Sequence, residues 1–378
     1  MASINTTETV NVGSWILSSD RFLTEDQTLI MNITMGILGI VGNFIVCFVF
    51  LRVKSQLRTL TNMFILNQSV LDLFTSVVFL IRKTGPRIVV PVGVLGELYC
   101  KLWKSGYTTW SLLMASSLNL IVLTLERYLA VVHPIKHRNN ITKRKVQIVI
   151  PFIWVVPALL ELFWAFANYN DGFGNCRIEW YSKFVAKFSG VIFFLLELPI
   201  PLGVIIVVYT RIIFQLLSRS HNQETRDNEV SCSVKRDNKC LPEAQNCSEA
   251  NLRVSLTTGG NSVNVTRKDK AKQKQDSSFD RSRRNVTKTM FIVSVVYVIC
   301  WTPQSFWFFL FNVTETVPLY SRFHDIAVLL AFLNMCVNPV IYAFQYRQFR
   351  IAIMKAFNCP INKIADSSHE SRFANTVT

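Results

Sequence analysis

The sequence predicts an all-α membrane protein, a seven-transmembrane helix bundle with a short amphipathic eighth helix. Half of the residues are hydrophobic and only 17% are charged, whereas soluble domains average about 25% charged residues. Seven apolar windows reach the length of about 20 residues that a helix needs to cross a bilayer. They begin near Leu29, Leu60, Ser105, Val146, Phe184, Met290 and Ile326. The windows 29–51 and 290–311 contain no charged residue at all, which is rare in a buried helix of a soluble protein.

The windows and the composition between them divide the chain into six segments. In chain order, we expect an extracellular N-terminal segment (1–28), transmembrane helices one to five (29–217), a disordered cytoplasmic loop (218–284), transmembrane helices six and seven (285–345), an amphipathic helix (346–358) and a cytoplasmic tail (359–378). The loop loses hydrophobic periodicity and is rich in Ser, Asn, Lys, Arg and Asp, a composition typical of disorder.

Basic residues predict the orientation of the bundle. Arg52 and Lys54 follow the first window, Lys143, Arg144 and Lys145 precede the fourth, and three more basic residues follow the seventh. Lys and Arg in short loops favour the cytoplasm, so we expect a multi-pass protein of the plasma membrane with an extracellular N-terminus. The formal net charge of +16 is then explained by anionic lipid at the cytoplasmic face, and no nucleic-acid partner is needed.

Two of the nine cysteines fall in predicted extracellular segments, where an oxidising environment allows disulfides to persist. These are Cys100, before the third helix, and Cys176, in the loop after the fourth. We expect them to pair and to tie the third helix to that loop.

Three further residues are candidates for modification. Asn5 and Asn312 begin glycosylation sequons in predicted extracellular segments. Cys359 follows the amphipathic stretch and is consistent either with palmitoylation or with a plain surface thiol.

Short polar and proline motifs occur in order in the seven windows. They are Gly42-Asn43, Leu66-Asn67 with Leu71-Asp72, Glu126-Arg127-Tyr128, Trp154, Pro201 with Tyr209, Cys300-Trp301-Thr302-Pro303 and Asn338-Pro339-Val340-Ile341-Tyr342. Proline removes a backbone hydrogen bond from a helix, and polar side chains in hydrocarbon need internal partners. With these motifs, residues 27–358 resemble a rhodopsin-like (class A) G-protein-coupled receptor.

The resemblance implies a set of residues for activation and G-protein coupling. They are Glu126, Arg127, Tyr128, Tyr209, Trp301, Pro303, Asn338, Pro339 and Tyr342. A charged Arg at a helix end in the membrane is costly unless it is paired, and the neighbouring Glu offers that partner in the resting state. Pro303 weakens the sixth helix and provides a bend. Trp301 is expected to sense packing below the ligand, with simple core packing as the alternative.

Asp72 is an acidic residue in mid-membrane, which by default indicates function. In relatives, this position and residues matching Ser116, Asn334 and Asn338 hold a sodium ion, and oxygen ligands suit such a hard cation. The alternative is a protonated carboxyl that is hydrogen-bonded to Asn43 or Asn338. No other cofactor is expected.

The chain also departs from the family pattern. The interval from Cys100 to Arg127 is two residues longer than usual, so a bulge is expected at the beginning of the third helix. Arg283 and Arg284 stand where many relatives carry an acid that restrains Arg127. The Asp of amine receptors and the retinal-binding Lys of opsins have no counterpart in the corresponding stretches, 108–110 and 326–344.

A peptide is therefore the favoured ligand class, with a lipid or a small organic acid as the alternative. The residues expected to line the pocket are Arg82, Thr109, Trp110, Glu197, Gln304, Phe308 and His324. Arg82 and Glu197 either receive opposite charges of the ligand or neutralise each other, with Glu161 and Lys83 as other possible partners. Besides membrane lipid, the resemblance implies a heterotrimeric G protein inside the cell, and arrestin and a receptor kinase at the tail.

An enzyme and a transporter are the two alternative classes of protein. An enzyme is not indicated, because the chain has no phosphate-binding loop, no His-Glu-x-x-His motif and no serine-nucleophile elbow. A transporter is expected to show an internal repeat with broken helices in both halves, and seven windows with one long loop do not show it.

Overall fold

The computed structural model describes residues 24–53, 59–86, 88–237, 267–314, 317–318 and 321–357. Within these ranges, seven helical spans are long and apolar enough to cross a membrane, which confirms the predicted fold class. In chain order, the spans are Asp26–Arg52, Leu60–Thr84, Val94–Val132, Lys143–Phe166, Lys183–Ser218, Arg284–Thr314 and Arg322–Gln345.

Twelve α-helices and two short strands make up the described ranges. The helices are α1 (Glu25–Arg52), α2 (Leu60–Thr84), α3 (Val94–Leu98), α4 (Tyr107–Val132), α5 (Pro134–Asn140), α6 (Lys143–Leu160), α7 (Leu162–Phe166), α8 (Lys183–Glu197), α9 (Pro199–Asp237), α10 (Arg267–Phe309), α11 (Arg322–Gln345) and α12 (Arg347–Ala356). The strands are β1 (Asn168–Asn170) and β2 (Cys176–Ile178), and single π-helical turns occupy Tyr99–Lys104 and Leu310–Thr314.

The spans pack as a bundle with apolar side chains on its outside. The first four spans pack in chain order, and the seventh packs against the first and second. Phe44, Phe152 and Val207 leave 57%, 61% and 60% of their surfaces exposed. Large apolar side chains exposed in such numbers are a liability in water, so their position agrees with a lipid-facing surface.

Ser and Thr side chains cap the beginnings of four spans. Thr24, Thr142, Ser182 and Ser321 each accept a hydrogen bond from the backbone N–H three residues later. Such a cap satisfies one of the four N–H groups that lack a partner at the beginning of a helix. The helices therefore begin where the sequence carries these residues, a few positions before the apolar windows.

The third span is interrupted near its beginning, as the long interval from Cys100 to Arg127 predicts. The π-helical turn Tyr99–Lys104 is followed by Gly106, which has a left-handed backbone with φ of 86°. Only glycine adopts this conformation at little cost. A Cβ at this position would also lie 2.8 Å from Nη1 of Arg82. The interruption absorbs the additional residues before α4 begins.

A disulfide joins Cys100 in the π-helical turn to Cys176 in β2, with their Cα atoms 5.4 Å apart, and this confirms the predicted pairing. β1 and β2 form an antiparallel hairpin with Asn170 opposite Cys176. The Asn170 backbone N–H donates to Glu97 Oε2 at 2.9 Å. The hairpin is thus fixed to the third span by one covalent bond and one charge-assisted hydrogen bond. This end of the bundle is called the disulfide end below.

The Asp171 carboxylate organises the turn of the hairpin. It accepts hydrogen bonds from the backbone N–H groups of Phe173 at 2.9 Å and Asn175 at 3.1 Å, and from Nε of Arg177 at 3.1 Å. These donors stabilise the ionised form and lower the pKa of Asp171 below its usual value. The contribution of this turn is therefore present at neutral pH and is lost as the pH falls through the lowered pKa.

The predicted amphipathic eighth helix is present as α12. Its Phe349 is buried and packs on Phe50 of the first span, with ring centroids 5.8 Å apart. Asn285 connects the sixth span to it, because its Nδ2 donates to the Gln345 carbonyl at 3.1 Å and its Oδ1 accepts from the Arg347 N–H at 3.0 Å. The ring of Tyr346, between α11 and α12, is buried as well.

Residues Thr210–Arg284 form a separate compact unit. Its backbone is helical through Asp237 and again from Arg267, at both ends of the loop 218–284 for which the sequence predicts disorder. Extending an existing helix by one residue is far easier than nucleating a new one, so polar composition alone did not end these helices. Residues 238–266 lie outside the described ranges.

Asn312 begins one of the two predicted glycosylation sequons. This residue lies in the π-helical turn Leu310–Thr314, is only 3% exposed, and its Nδ2 donates to the Phe308 carbonyl at 2.8 Å. A sequon encodes a residue pattern and not its exposure, so the sequence did not indicate this burial. The other candidate sites, Asn5 and Cys359, lie outside the described residues.

We expect Cys100→Ser and Cys176→Ser each to lower the stability of the folded receptor by about 2–5 kcal/mol, because the disulfide closes a long loop. Thermal unfolding of the purified protein would measure the loss. The double variant Cys100→Ser/Cys176→Ser serves as the control and should be no less stable than either single variant. Additive losses, or free thiols at both positions in the folded protein, would contradict the bond.

Candidate functional site

A cavity of about 280 Å³ lies at the disulfide end, between the second to seventh spans. Its walls include all seven residues that were predicted to bind ligand, namely Arg82, Thr109, Trp110, Glu197, Gln304, Phe308 and His324. Residues from five different spans are thus brought to one site. Cavities of this kind, with apolar walls and a few polar groups, are typical ligand sites.

One side of the cavity is basic. Nη1 of Arg82 donates to Oγ1 of Thr109 at 2.9 Å, and Nη2 donates to the Lys104 carbonyl at 3.3 Å. Lys83 also lines the cavity. The two hydrogen bonds hold the Arg82 guanidinium against the beginning of α4, where it contributes positive charge to the cavity wall.

The opposite side is acidic. Glu161 is 5% exposed, and Glu197 accepts a hydrogen bond from Oγ of Ser305 at 3.0 Å. Among the described residues, neither carboxylate forms an ion pair. The alternative in which Arg82 and Glu197 neutralise each other is therefore not what the structure shows. The cavity is bipolar, because it is lined both by basic groups from the second span and by acidic groups from the fourth and fifth.

Aromatic rings form much of the remaining wall. Phe163 packs on Phe193 with centroids 4.2 Å apart, and Trp164 packs edge-on against Phe308 at 5.9 Å. Trp301 was expected to lie directly below the ligand. It is not among the lining residues of this cavity. It is 1% exposed and packs on Tyr297. Gln304, one turn further along the sixth helix, replaces it at the cavity surface.

A buried polar network crosses the centre of the bundle. The Asp72 carboxylate accepts hydrogen bonds from Oγ of Ser116 at 2.9 Å, from Nδ2 of Asn338 at 2.8 Å, and from Nε2 of Gln68 at 3.2 and 3.3 Å. The Gln68 amide also donates to Ser116 and accepts from Asn119 at 2.7 Å. The network therefore joins the second, third and seventh spans through one carboxylate.

The arrangement does not fit the expected sodium ion. The oxygen lone pairs of Asp72 are occupied by N–H and O–H donors, whereas a sodium ion requires free oxygen lone pairs. The Gln68 nitrogen lies within hydrogen-bond distance of both carboxylate oxygens and of Ser116, where a cation would have to bind. Asn334 is buried but donates no hydrogen bond to Asp72. The alternative prediction was a hydrogen bond from Asp72 to Asn43 or Asn338. Asn338 contacts Asp72, whereas Asn43 donates to the Gly39 and Met335 carbonyls. Gln68 was not predicted as a member of this site.

An ion pair occupies the opposite end of the third span. Nε and Nη2 of Arg127 each donate to a different oxygen of Glu126 at 2.7 Å, which is the pairing that the sequence predicts. Nη2 also donates to Thr61 of the second span, and Nε2 of His137 lies 2.8 Å from Oε1 of Glu126. Thr61 and His137 were not predicted. Arg127 and Glu126 are 8% and 3% exposed, so the pair is shielded from water. This is the Arg127 end of the bundle.

The other predicted activation residues surround these two clusters. The Tyr209 hydroxyl lies 3.4 Å from Oγ of Ser294, and Tyr128 lies edge-on to His133. Tyr342 is fully buried, and its hydroxyl has no hydrogen-bond partner among the described residues. Pro303 and Pro339 stand inside the sixth and seventh helices. In this conformation, neither Tyr209 nor Tyr342 is hydrogen-bonded to Arg127.

Seven packed helices, a cavity at one end and a shielded ion pair at the other define a membrane receptor. Residues 42–342 match the model of the family described as 7 transmembrane receptor (rhodopsin family), and the chain belongs to that family. Membership sets aside the transporter alternative.

Relatives in this family carry different ligand names. The chain is 27% identical over 345 residues to the allatostatin-A receptor of Bombyx mori. This alignment covers 86% of this chain and 78% of the relative. The chain is 24% identical over 395 residues to the cholecystokinin receptor of Xenopus laevis, covering 95% and 85%. It is 27% identical over 336 residues to the alpha-1D adrenergic receptor of Homo sapiens, covering 85% and 54%.

We expect the unmodified receptor to gain no thermal stability when sodium chloride replaces choline chloride at constant ionic strength. In Gln68→Ala, the amide no longer blocks Asp72, and sodium should stabilise the protein by about 1.4 kcal/mol at ten times its Kd. Thermal unfolding of purified protein in both salts would measure this. Gln68→Ala/Asp72→Asn is the control and should lose the gain. A sodium-dependent gain in the unmodified receptor would contradict the role of Gln68.

Proposed function

We propose that this protein is a plasma-membrane receptor that binds an extracellular peptide and activates a heterotrimeric G protein in the cell. One observation carries the proposal, namely that α4 places Thr109 in a bipolar cavity near its beginning and Arg127 in a shielded ion pair near its end. A single helix thus belongs to a candidate ligand site and to a candidate coupling site.

The disulfide end is proposed to face the outside of the cell. A disulfide persists in an oxidising compartment, and basic residues are concentrated near the other end, where the positive-inside rule places the cytoplasm. Lys143, Arg144 and Lys145 begin the fourth span at the Arg127 end. With this orientation, the cavity faces secreted ligands and Arg127 faces the cytoplasm.

The charges of the cavity support a peptide over a lipid. Arg82 can receive a carboxylate through a bidentate hydrogen bond, and Glu197 can receive a basic group on the opposite wall. A peptide presents both charges together with apolar side chains for the aromatic wall. A lipid or small organic acid leaves the acidic wall without a partner, which is costly in a buried site. Two of the three relatives described above are named for peptides.

Coupling is proposed to proceed by release of Arg127. Ligand binding that favours an outward bend of the sixth helix at Pro303 would open space at the cytoplasmic end. Arg127 would then exchange Glu126 for a group on the G protein, and Tyr209 and Tyr342 would fill the opened space. Arrestin and a receptor kinase are proposed to act on the cytoplasmic tail.

We expect Glu126→Gln and Arg127→Ala to change nucleotide exchange in opposite directions. Loss of the Glu126 charge frees a shielded Arg127, since removal of one partner of a buried pair costs about 3–5 kcal/mol, and ligand-independent exchange should rise several-fold. Arg127→Ala should abolish exchange because it removes the coupling group. Nucleotide exchange on a co-reconstituted G protein would measure both.

The unmodified receptor should itself show exchange without ligand, because Arg283 and Arg284 stand where relatives carry a restraining acid. Each variant serves as the control for the other, since damage to the fold would lower both rates. Normal exchange in Arg127→Ala would refute its proposed role.

We expect Arg82→Gln to weaken the response to peptides that carry a carboxylate by about 10- to 100-fold, the loss of one charged hydrogen bond. A screen of synthetic secreted peptides for calcium or cAMP responses would supply the agonist. Lys101→Gln is the matched control, because Lys101 pairs with Glu97 and does not line the cavity. Equal shifts in the two variants, or an unchanged response in Arg82→Gln, would count against a ligand contact at Arg82.

A further inference from the structure

Three acidic or amide side chains of the cavity accept fewer hydrogen bonds than their oxygens allow. The Glu161 side chain receives no hydrogen bond from the described part of the chain, and Glu197 receives one, from Ser305. The amide oxygen of Gln304 is buried and unpartnered, and this residue is only 6% exposed. All three residues line the same cavity. Buried acceptors in native proteins nearly always have a partner, so this wall is incomplete without a donor from outside.

The charges on this wall also oppose each other. Glu161 and Glu197 repel each other when both are ionised, since like charges in a site of low polarity interact unfavourably. The Glu197 side chain has one partner in the folded protein, because its Oε2 accepts a hydrogen bond from Oγ of Ser305 at 3.0 Å and thereby links the fifth and sixth spans. No such bond explains Glu161, which is 5% exposed and would be costly to bury for packing alone.

Aromatic rings complete the surroundings of the acceptors. Phe163, Trp164, Phe193 and Phe308 line the cavity with them. Rings attract a cation placed over their faces, with an energy that grows when water is excluded. Carboxylates, an amide oxygen and aromatic faces are together the chemistry that recognises an organic cation.

We propose that Glu161, Glu197 and Gln304 form the binding site for the guanidinium group of an arginine side chain in the ligand. The guanidinium is planar and carries five N–H donors, enough to serve two carboxylates and an amide oxygen at once. An ammonium group has only three donors. The inference rests on the proposed receptor function and specifies which residue type of a peptide enters the cavity. Because Arg82 lines the same cavity, the matching ligand carries an acidic group in addition to its arginine.

The test uses small probes and the purified full-length receptor in lipid nanodiscs. The probes are N-acetyl-arginine amide, its neutral isostere N-acetyl-citrulline amide, and N-acetyl-lysine amide. The arginine probe should raise the thermal midpoint saturably, and the citrulline probe should not. In Glu161→Gln and Glu197→Gln, the apparent Kd of the arginine probe should rise by about 10- to 100-fold. Glu179→Gln, an exposed carboxylate of the loop, is the matched control and should leave it unchanged.

The ligand-free midpoint separates a binding role from a structural one. Removing a carboxylate that only repels its neighbour should leave the midpoint of Glu161→Gln unchanged or higher. A fall in the ligand-free midpoint of this variant would show that Glu161 holds the fold together, and it would overturn the proposal.

Other results would also overturn the proposal. A larger shift with the lysine probe would indicate an ammonium site. Stabilisation by calcium or magnesium ions that is lost in both variants, without an effect of the arginine probe, would indicate a metal site. An equal arginine shift in all variants would place the probe elsewhere. Nucleotide exchange measured on the same preparation tests the receptor function separately, because probe binding without exchange contradicts only that function, and exchange without probe binding contradicts only this site.

Discussion

The fully buried carboxylate of Asp72 is the group on which the arrangement of the helices most depends. Hydrocarbon offers no hydrogen bonds, so this carboxylate must take its partners from neighbouring spans. Ser116 and Asn338 supply them from the third and seventh helices. Hydrogen bonds to charged groups contribute about 1.5–3 kcal/mol each, and in lipid they act without a hydrophobic force between helices. They therefore set which faces of these spans meet.

The network continues from this carboxylate toward the fourth span. Gln68 accepts from Asn119, Asn119 accepts from Nδ2 of Asn67 at 2.9 Å, and Asn67 accepts from Nε1 of Trp154 at 3.0 Å. Four of the seven spans are thus connected by a continuous chain of side-chain hydrogen bonds. Because Gln68, Asn119 and Asn67 each use both a donor and an acceptor, moving one helix requires several bonds to break together. Such cooperativity favours two discrete arrangements over a continuum.

Much of the fold could be predicted from the sequence because lipid imposes strict rules on length and charge. The seven spans, the disulfide and the bulge before α4 followed from window length, cysteine placement and the interval from Cys100 to Arg127. The pairing of Glu126 with Arg127 followed from the cost of an isolated charge. What was missed depends on contacts distant in sequence. Thr61 and His137 reach Glu126 from other helices, and nothing local marks them.

Two features that the sequence analysis did not anticipate have different physical origins. Asn312 carries a correct sequon, but its burial depends on how Gly190 of the fifth span packs against it, where an added Cβ would lie 2.5 Å from the Asn312 Cβ. Gln68 did leave a signal, since it stands one helical turn before Asp72 on the same face of α2. A polar residue four positions before a buried acid in a helix lies next to that acid. The spacing of Gln68 and Asp72 therefore predicts an amide beside the carboxylate.

The interruption at Tyr99–Lys104 and Gly106 has a consequence for how such a receptor can diversify. A π-helical turn followed by a left-handed glycine takes up additional residues within one short stretch of backbone. The residues of α4 that follow therefore stay on the same faces of the helix. Insertions in this stretch would rotate and displace only the rim that holds the disulfide, while Ser116 and Arg127 stay on their faces of the helix. The rim at the disulfide end can therefore change in length without changing which faces of α4 carry Ser116 and Arg127.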